Sequence, residues 1–407
     1  MLFRSASLGP SAAVMVKAIA GGGGRGMRIV EDAAQLAEAY ARCRSEARAA
    51  FGDDGVYVER LIRGARHVEV QVIGDRHGGL SHLWERECSI QRRHQKLIEI
   101  APSPSLSTEA RARIVEAATR IAGTIGYDGL GTFEFLVEGG AGDDDARFAF
   151  IEANPRLQVE HTVTEEVLGV DLVRAQIAVA GGATLAALGL DQASVPAPRG
   201  YALQLRVNME TMDATGAVKP GGGEITAFDP PSGPGVRVDS FGYCGYRTSA
   251  AFDSLLAKVI VHTPASRWTE VVEKASRALR EFRVAGVETN IPFLQAVLAH
   301  GDFRANRIDT GFIDTHAAEL AVAAGPSPLH FAALPDAGEA RASRREAAPP
   351  GTVAVAAPLH GALVTIDVAE GDLVFPGRQL AVMEAMKMEH PRSEEHTSEL
   401  QSHLNLV

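Results

Sequence analysis

The 407 residues predict a mixed α+β body followed by a small all-β unit. Three observations carry this reading. Between residues 14 and 140, stretches rich in β-branched and aromatic residues alternate with segments whose apolar side chains recur at helical spacing. From 320 to 351 the composition shifts to Ala, Pro, Arg and Glu without sustained periodicity. Beyond it, short apolar runs are cut by Gly, Pro and Asp, the pattern of small strands.

VMVKAIA (14–20), VYVERLI (56–62), HVEVQVI (67–73), GTFEFLV (131–137) and RFAFIEAN (147–154) read as strands. EDAAQLAEAYARCRSEARAAF (31–51), STEARARIVEAATRIAGTIG (107–126) and TVTEEVLGVDLVRAQIAVAGG (162–182) read as helices. A β-rich stretch follows at 201–262, then the helical ASRWTEVVEKASRALREF (265–282). The compact region should end near Glu319, with a mobile linker at 320–351 and the all-β unit at 352–391.

With 40 basic and 51 acidic residues the net charge is −11, which argues against broad nucleic-acid binding while allowing a local anion pocket. No apolar run reaches the ~20 residues that cross a bilayer, so no membrane role is expected. Cys43, Cys88 and Cys244 are odd in number and lack metal-knot spacing, so a reducing cytoplasm is expected. The N-terminal apolar stretch is cut short by Lys17 and is not a secretion signal.

AGGGGRGMR (20–28) follows a strand, and its glycines offer unobstructed N–H groups to phosphate oxygens. Alone, it reads better as a flexible hairpin tip, because it lacks the GKS or GKT ending of a P-loop. In GTFEFLV, Thr132, Glu134 and Leu136 share a face, and in FAFIEANPR so do Glu152 and Asn154. Two carboxylates and an amide can therefore converge across a hairpin, a donor set that suits Mg²⁺; a solvent-facing polar strand would look the same. QRRHQK (91–96) and RLQVEH (156–161) add cations. Together these parts are what ATP-driven phosphoryl transfer needs.

KAIAGGGGRGMR, ERLIRGARHVEVQV, ERECSIQRRHQKLIEIAPSP, GTFEFL, FIEANPRLQVEHTVTE, GYALQLRVN and FDSLLAKVI together resemble the biotin carboxylase component of biotin-dependent acyl-CoA carboxylases, an ATP-grasp family, over most of 9–316. EAMKM, with APLHGALVTIDVAEGDLVFPGRQL before it, resembles the biotin-attachment half of a biotinyl carrier domain. The resemblance implies a partial ATP-grasp lid at 6–60, ATP-grasp and C-terminal regions at 61–319, the linker, and half a carrier.

The resemblance also implies roles. Lys17 and Gly21, Gly22, Gly23, Gly24 and Gly26 would hold ATP phosphates from a mobile lid. Glu59 and the backbone at Leu61 would receive adenine, and His67, Gln91 and His94 would contact ribose or phosphates. Glu134 and Glu152, helped by Asn154, would bind Mg²⁺ or Mn²⁺. Lys96, Arg156, Gln158 and Val159 would seat bicarbonate, Glu160 would be the general base, and Arg206 would stabilise the enolate-like biotin oxygen. Biotin would be carried on Lys387 as an amide, set there by biotin protein ligase, with a carboxyltransferase as partner and a homo-oligomer as the assembly. The reaction implied is ATP-dependent carboxylation of biotin with bicarbonate through carboxyphosphate. The short linker favours an acetyl- or acyl-CoA carboxylase.

Other readings are an ATP-grasp ligase with a different acceptor, of carbamoyl-phosphate type, and a non-catalytic nucleotide-binding fragment. The family pattern begins with an N-terminal α/β domain that has no counterpart here, and residues 1–5 and 392–407 resemble translated sequencing adapter. A gene fragment, poorly folded or inactive by itself, is therefore expected. Gln204 stands where the family commonly has Glu, MET follows Asn208, and His360 replaces a frequent Pro.

Overall fold

In the computed structural model, the described residues are 13–20, 26–92, 94–139, 142–213, 216–248, 253–324, 355, 362–369, 371–375, 377–385, 388–393 and 398–399. Two compact units emerge. The first comprises Met1–Leu205, Ile260–Val272 and Gly301–His316; the second comprises Arg206–Val259, Glu273–His300 and Ala317–Val407.

The first unit opens with a three-stranded antiparallel sheet of β1 (Val14–Ala18), β2 (Met27–Val30) and β3 (Val56–Arg60), with β1 central. Helix α1 (Leu36–Phe51) covers it, burying Leu36, Ala39 and Cys43 against Val14, Val16 and Val30. Asp32 caps the turn that precedes α1, and Gly52, at φ +76°, ends the helix where a side chain would be strained. Gly26, at φ +68°, closes the β1–β2 connection; an added Cβ would lie 2.8 Å from the Ala18 Cβ.

A larger sheet carries the chemistry. Six of its eight strands are β4 (Arg66–Gly74), β5 (Leu80–Arg92), β6 (Gln95–Ala101), β7 (Gly129–Glu138), β8 (Arg147–Asn154) and β9 (Tyr201–Asn208), in the order β9-β6-β5-β4-β7-β8. Val68, Val70, Val72, Phe133 and Phe135 pack on helix α2 (Thr108–Thr124) through Ala110, Ile114 and Ala118. Ser107 accepts from the Ala110 N–H at 3.1 Å and so caps that helix. A second apolar cluster joins Ile73, Leu83, Val163, Val167 and Leu172.

The helix expected over 162–182 is two helices, α3 (His161–Leu168) and α4 (Leu172–Ala180). Gly169, at φ +71°, ends the first, and the Asp171 carboxylate caps the second at the Arg174 N–H. The charged stretch 80–101, which contains QRRHQK, forms β5 and β6, and most of its side chains are buried.

In the second unit, Glu210–Met212 pairs with Val218–Pro220, and Ala227–Asp229 with Arg283–Ala285, both antiparallel. Nearer the C-terminus, Ala362–Ile366, Gln379–Ala385 and Met388–Ser393 form an antiparallel sheet in which Ala385 opposes Met388. Arg392, Ser393, Ser398 and Glu399, within the stretch that resembles translated adapter, pair with Leu373–Val374 and Gln379–Ala385. Gly21–Gly24, Lys387 and residues 325–351 of the linker lie outside the described residues. Among the described residues no helix is long and apolar enough to cross a membrane.

Candidate functional site

Strand register builds the site. Arg86 faces Glu69, Glu69 faces Glu134, and Glu134 faces Glu152, so one row of charged side chains crosses β5, β4, β7 and β8. The next row sets Gln71 opposite Thr132 and Thr132 opposite Asn154. Period-two alternation sends these side chains to one face while Val68, Val70, Phe133 and Phe135 take the other.

Lys96, at the start of β6, is the hub. Its Nζ donates to Glu69 Oε2 and Glu160 Oε1, each at 2.5 Å, and to Glu134 Oε1 at 3.3 Å. Burial alone would lower the Lys96 ammonium, but Glu160 and Glu69 turn the balance and hold it well above its ordinary value. Glu134 also accepts from Asn154 Nδ2 at 2.9 Å and Gln158 Nε2 at 2.8 Å on Oε1, and meets His67 Nε2 at 2.7 Å on Oε2. Burial would raise the Glu134 carboxyl; the His67 hydrogen bond and the Lys96 charge hold it far below the carboxylate range. Gln91 Nε2 lies 3.4 Å from His67 Nδ1.

Glu160 is buried at the N-terminus of α3. Before it, the turn is stiff: Arg156 N donates to Asn154 O, and His161 Nδ1 donates to Gln158 O at 2.8 Å. Arg156 is exposed and reaches Asn154 Oδ1 at 3.3 Å, and Val159 lies in the same turn. The buried Oε1 of Gln158 meets no hydrogen-bond donor among the described residues. Asn154 donates to Glu134 and to Glu152 Oε1 at 3.0 Å, bridging the two carboxylates where a cation would sit. The two carboxylates suit a hard divalent ion, and Asn154, which here turns its Nδ2 to them and its Oδ1 to Arg156, would offer its carbonyl once the amide rotates.

Lys17 and Glu59 form a pair of their own on the three-stranded sheet, 3.2 Å apart, with Lys17 over the Tyr57 ring. Burial would lower the Lys17 ammonium; Glu59 makes the net shift upward. The Leu61 N–H donates to Ala13 O at 3.0 Å, so a base meeting this edge would need another donor. His94 stands exposed at the β5–β6 turn with φ +67°, within electrostatic reach of Lys17 and His67. Arg206 belongs to the second unit, where Asn290 Nδ2 donates to its carbonyl at 3.0 Å.

Sequence reasoning missed Glu69 and Arg86. For Glu69 the signal was present: HVEVQV puts His67, Glu69 and Gln71 on one face. Gln204 donates to the buried Glu99 Oε2 at 2.9 Å and accepts from Thr162, so an amide here spares the interior a pair of facing carboxylates.

The family model "Carbamoyl-phosphate synthase L chain, ATP binding domain" matches residues 10–188, and "Biotin carboxylase C-terminal domain" matches 204–315. The chain is 47% identical over 308 residues to a pyruvate carboxylase of Bacillus subtilis, covering 74% of this chain and 26% of that protein. It is 48% identical over 302 residues to the mitochondrial pyruvate carboxylase of Homo sapiens, covering 74% and 25%. It thus spans about a quarter of the length of the curated relatives it matches.

Among solved structures, one similar chain is the biotin carboxylase domain of the Hydrogenobacter thermophilus 2-oxoglutarate carboxylase, in complex with MgADP, ADP and bicarbonate. Its identity is 37%, its TM-score 0.71, and the match covers 78% of this chain and 67% of that one. A single-chain, multi-domain long-chain acyl-CoA carboxylase matches at 38% identity and TM-score 0.65, covering 98% of this chain and 35% of its own.

Proposed function

Because the chain belongs to the biotin carboxylase family of ATP-dependent ligases, with its ATP-grasp fold, we propose that its residues activate bicarbonate with ATP for transfer of the carboxyl group to biotin. One observation carries this reading: a single buried ammonium, Lys96, is bonded both to Glu134 of the proposed metal pair and to Glu160, the proposed base. Lys96, Arg156, Gln158 and the Val159 backbone would seat the anion. Glu160 would accept that hydroxyl proton as the oxygen attacks the γ-phosphorus of ATP. The P–O bond to ADP would break, and Lys96 and Arg156 would offset the charge that accumulates.

Lys17, Gly21–Gly24, Gly26, Glu59, His67, Gln91 and His94 would hold the nucleotide. Glu134, Glu152 and Asn154 would hold Mg²⁺ or Mn²⁺, which when bound spreads the phosphoryl charge. Arg206 would serve the biotin step, with biotin on Lys387 supplied by biotin protein ligase and delivered to a carboxyltransferase. The assembly would be a homo-oligomer in the cytoplasm, in keeping with three unpaired thiols.

The final acceptor in this reading is an acyl-CoA. It is supported by the long-chain acyl-CoA carboxylase match, which runs through 98% of the chain, whereas the Rhizobium etli pyruvate carboxylase structure matches 78%. Pyruvate is the second reading, favoured by the curated relatives. Labelled bicarbonate incorporation by the longest natural chain containing these residues, offered acyl-CoAs or pyruvate, separates the two. ATP cleavage indifferent to both bicarbonate and biotin would remove the proposal altogether.

A further inference from the structure

We propose that Arg86 is the positioning residue that keeps Lys96 available to the anion, an inference that rests on the bicarbonate reading above. Arg86 is fully buried in the middle of β5, at the end of the charged row. Its Nε donates to Glu69 Oε1 at 2.6 Å, its NH1 to Gln71 Oε1 at 2.7 Å and Thr164 Oγ1 at 2.9 Å, and its NH2 to Thr132 Oγ1 at 3.2 Å. Each acceptor adjoins the site. Thr132 lies two residues before Glu134 on the same strand face, Thr164 lies one helical turn after Glu160, and Glu69 shares Lys96.

The charge arrangement gives the pairing its purpose. Lys96 has three donors, and they go to three carboxylates, Glu69, Glu134 and Glu160. Glu69 is fully buried, and its charge is divided: Oε1 takes Arg86 and Oε2 takes Lys96. Without Arg86, the whole charge of Glu69 would fall on Lys96, in a low-dielectric interior where such attraction is strong. The ammonium would be drawn to Glu69, away from Glu160 and from an entering anion. Arg86 touches none of the residues assigned to the nucleotide, so its effect should fall more on bicarbonate than on ATP.

The rigid fork matters as well as the charge. One guanidinium meets four acceptors on β4, β7 and α3, which an ammonium cannot reach together. It therefore ties the strand bearing Glu134 to the helix whose first turn follows Glu160.

The test compares Arg86→Met and Arg86→Lys with the unsubstituted longest natural chain, measuring ATP cleavage against bicarbonate and against ATP, with circular dichroism to establish the folded fraction. For Arg86→Met, kcat/KM for bicarbonate should fall about 30- to 100-fold while KM for ATP stays within about threefold. Arg86→Lys should recover about tenfold of that loss. Should Arg86→Met not fold, Arg86→Lys decides alone: a loss confined to bicarbonate supports the role, and wild-type bicarbonate kinetics overturn it. Equal losses for ATP and bicarbonate, or a loss matching the unfolded fraction, also overturn it. Absence of bicarbonate dependence in the unsubstituted chain overturns the parent reading and this one with it.

Discussion

The two faces of strands β4 and β7 are equally buried and chemically opposite. On one, Val68, Val70, Val72, Phe133 and Phe135 meet α2, and leaving water is itself the stabilising event, at about 25 cal/mol per Å² of apolar surface. On the other, His67, Glu69, Gln71, Thr132 and Glu134 are just as dry, and each of them needs a partner to offset the cost of losing water. The same backbone, two residues at a time, builds a core and a reaction chamber. Substitutions on the apolar face should therefore cost folding without touching chemistry, whereas those on the polar face should touch chemistry as well as stability.

The sharpest break in that comparison is Glu160→Ala, which removes the proposed base. Its kcat for bicarbonate-dependent ATP cleavage should fall about 10³-fold, within the usual range for general-base removal. An unchanged rate would take Glu160 out of that role.

On the opposite face, Phe133→Ala should lower unfolding free energy by about 3–4 kcal/mol in denaturant titration, while the folded fraction keeps its KM for ATP. A large KM change there would show that the two faces are not independent.

A subtler difference is in pH. Glu134 is held below the ordinary carboxylate value, so its contribution to stability is present above an unfolded value of about 4.3 and is lost as pH falls further. Glu134→Gln should flatten the acid limb of stability between about pH 5 and pH 2, read by thermal unfolding. Lys96 behaves oppositely: its raised value gives stability present below about pH 10.4 and lost as pH rises beyond it.

The smallest effect belongs to Ser107→Ala, which removes the cap of α2 and should cost about 1 kcal/mol with no kinetic change.

Alternation in GTFEFLV and FIEAN was enough to place Glu134 and Glu152 together, because a strand's side-chain period is fixed by backbone geometry. Glu69 was legible in the same way, and went unread because a Val-Glu-Val stretch looks like an ordinary half-exposed strand. Arg86 was not legible at all. Its stretch is charged in the sequence and suggests solvent, and only the pairing of β5 between β4 and β6 shows it to be interior. The break of the 162–182 helix was half legible: Gly169 and Asp171 are end and start signals, but the apolar spacing runs through them.

The sequence by itself determined the alternation of strands and helices, the glycine-rich connection, the carboxylate pair and the family, since these depend on local geometry and on residue order. The tertiary structure alone decided which charges neutralise which. Arg86, Glu69, Lys96 and Glu160 lie on three strands and a helix, and their energies depend on distance and on the exclusion of water. Neither quantity exists until the strands have paired.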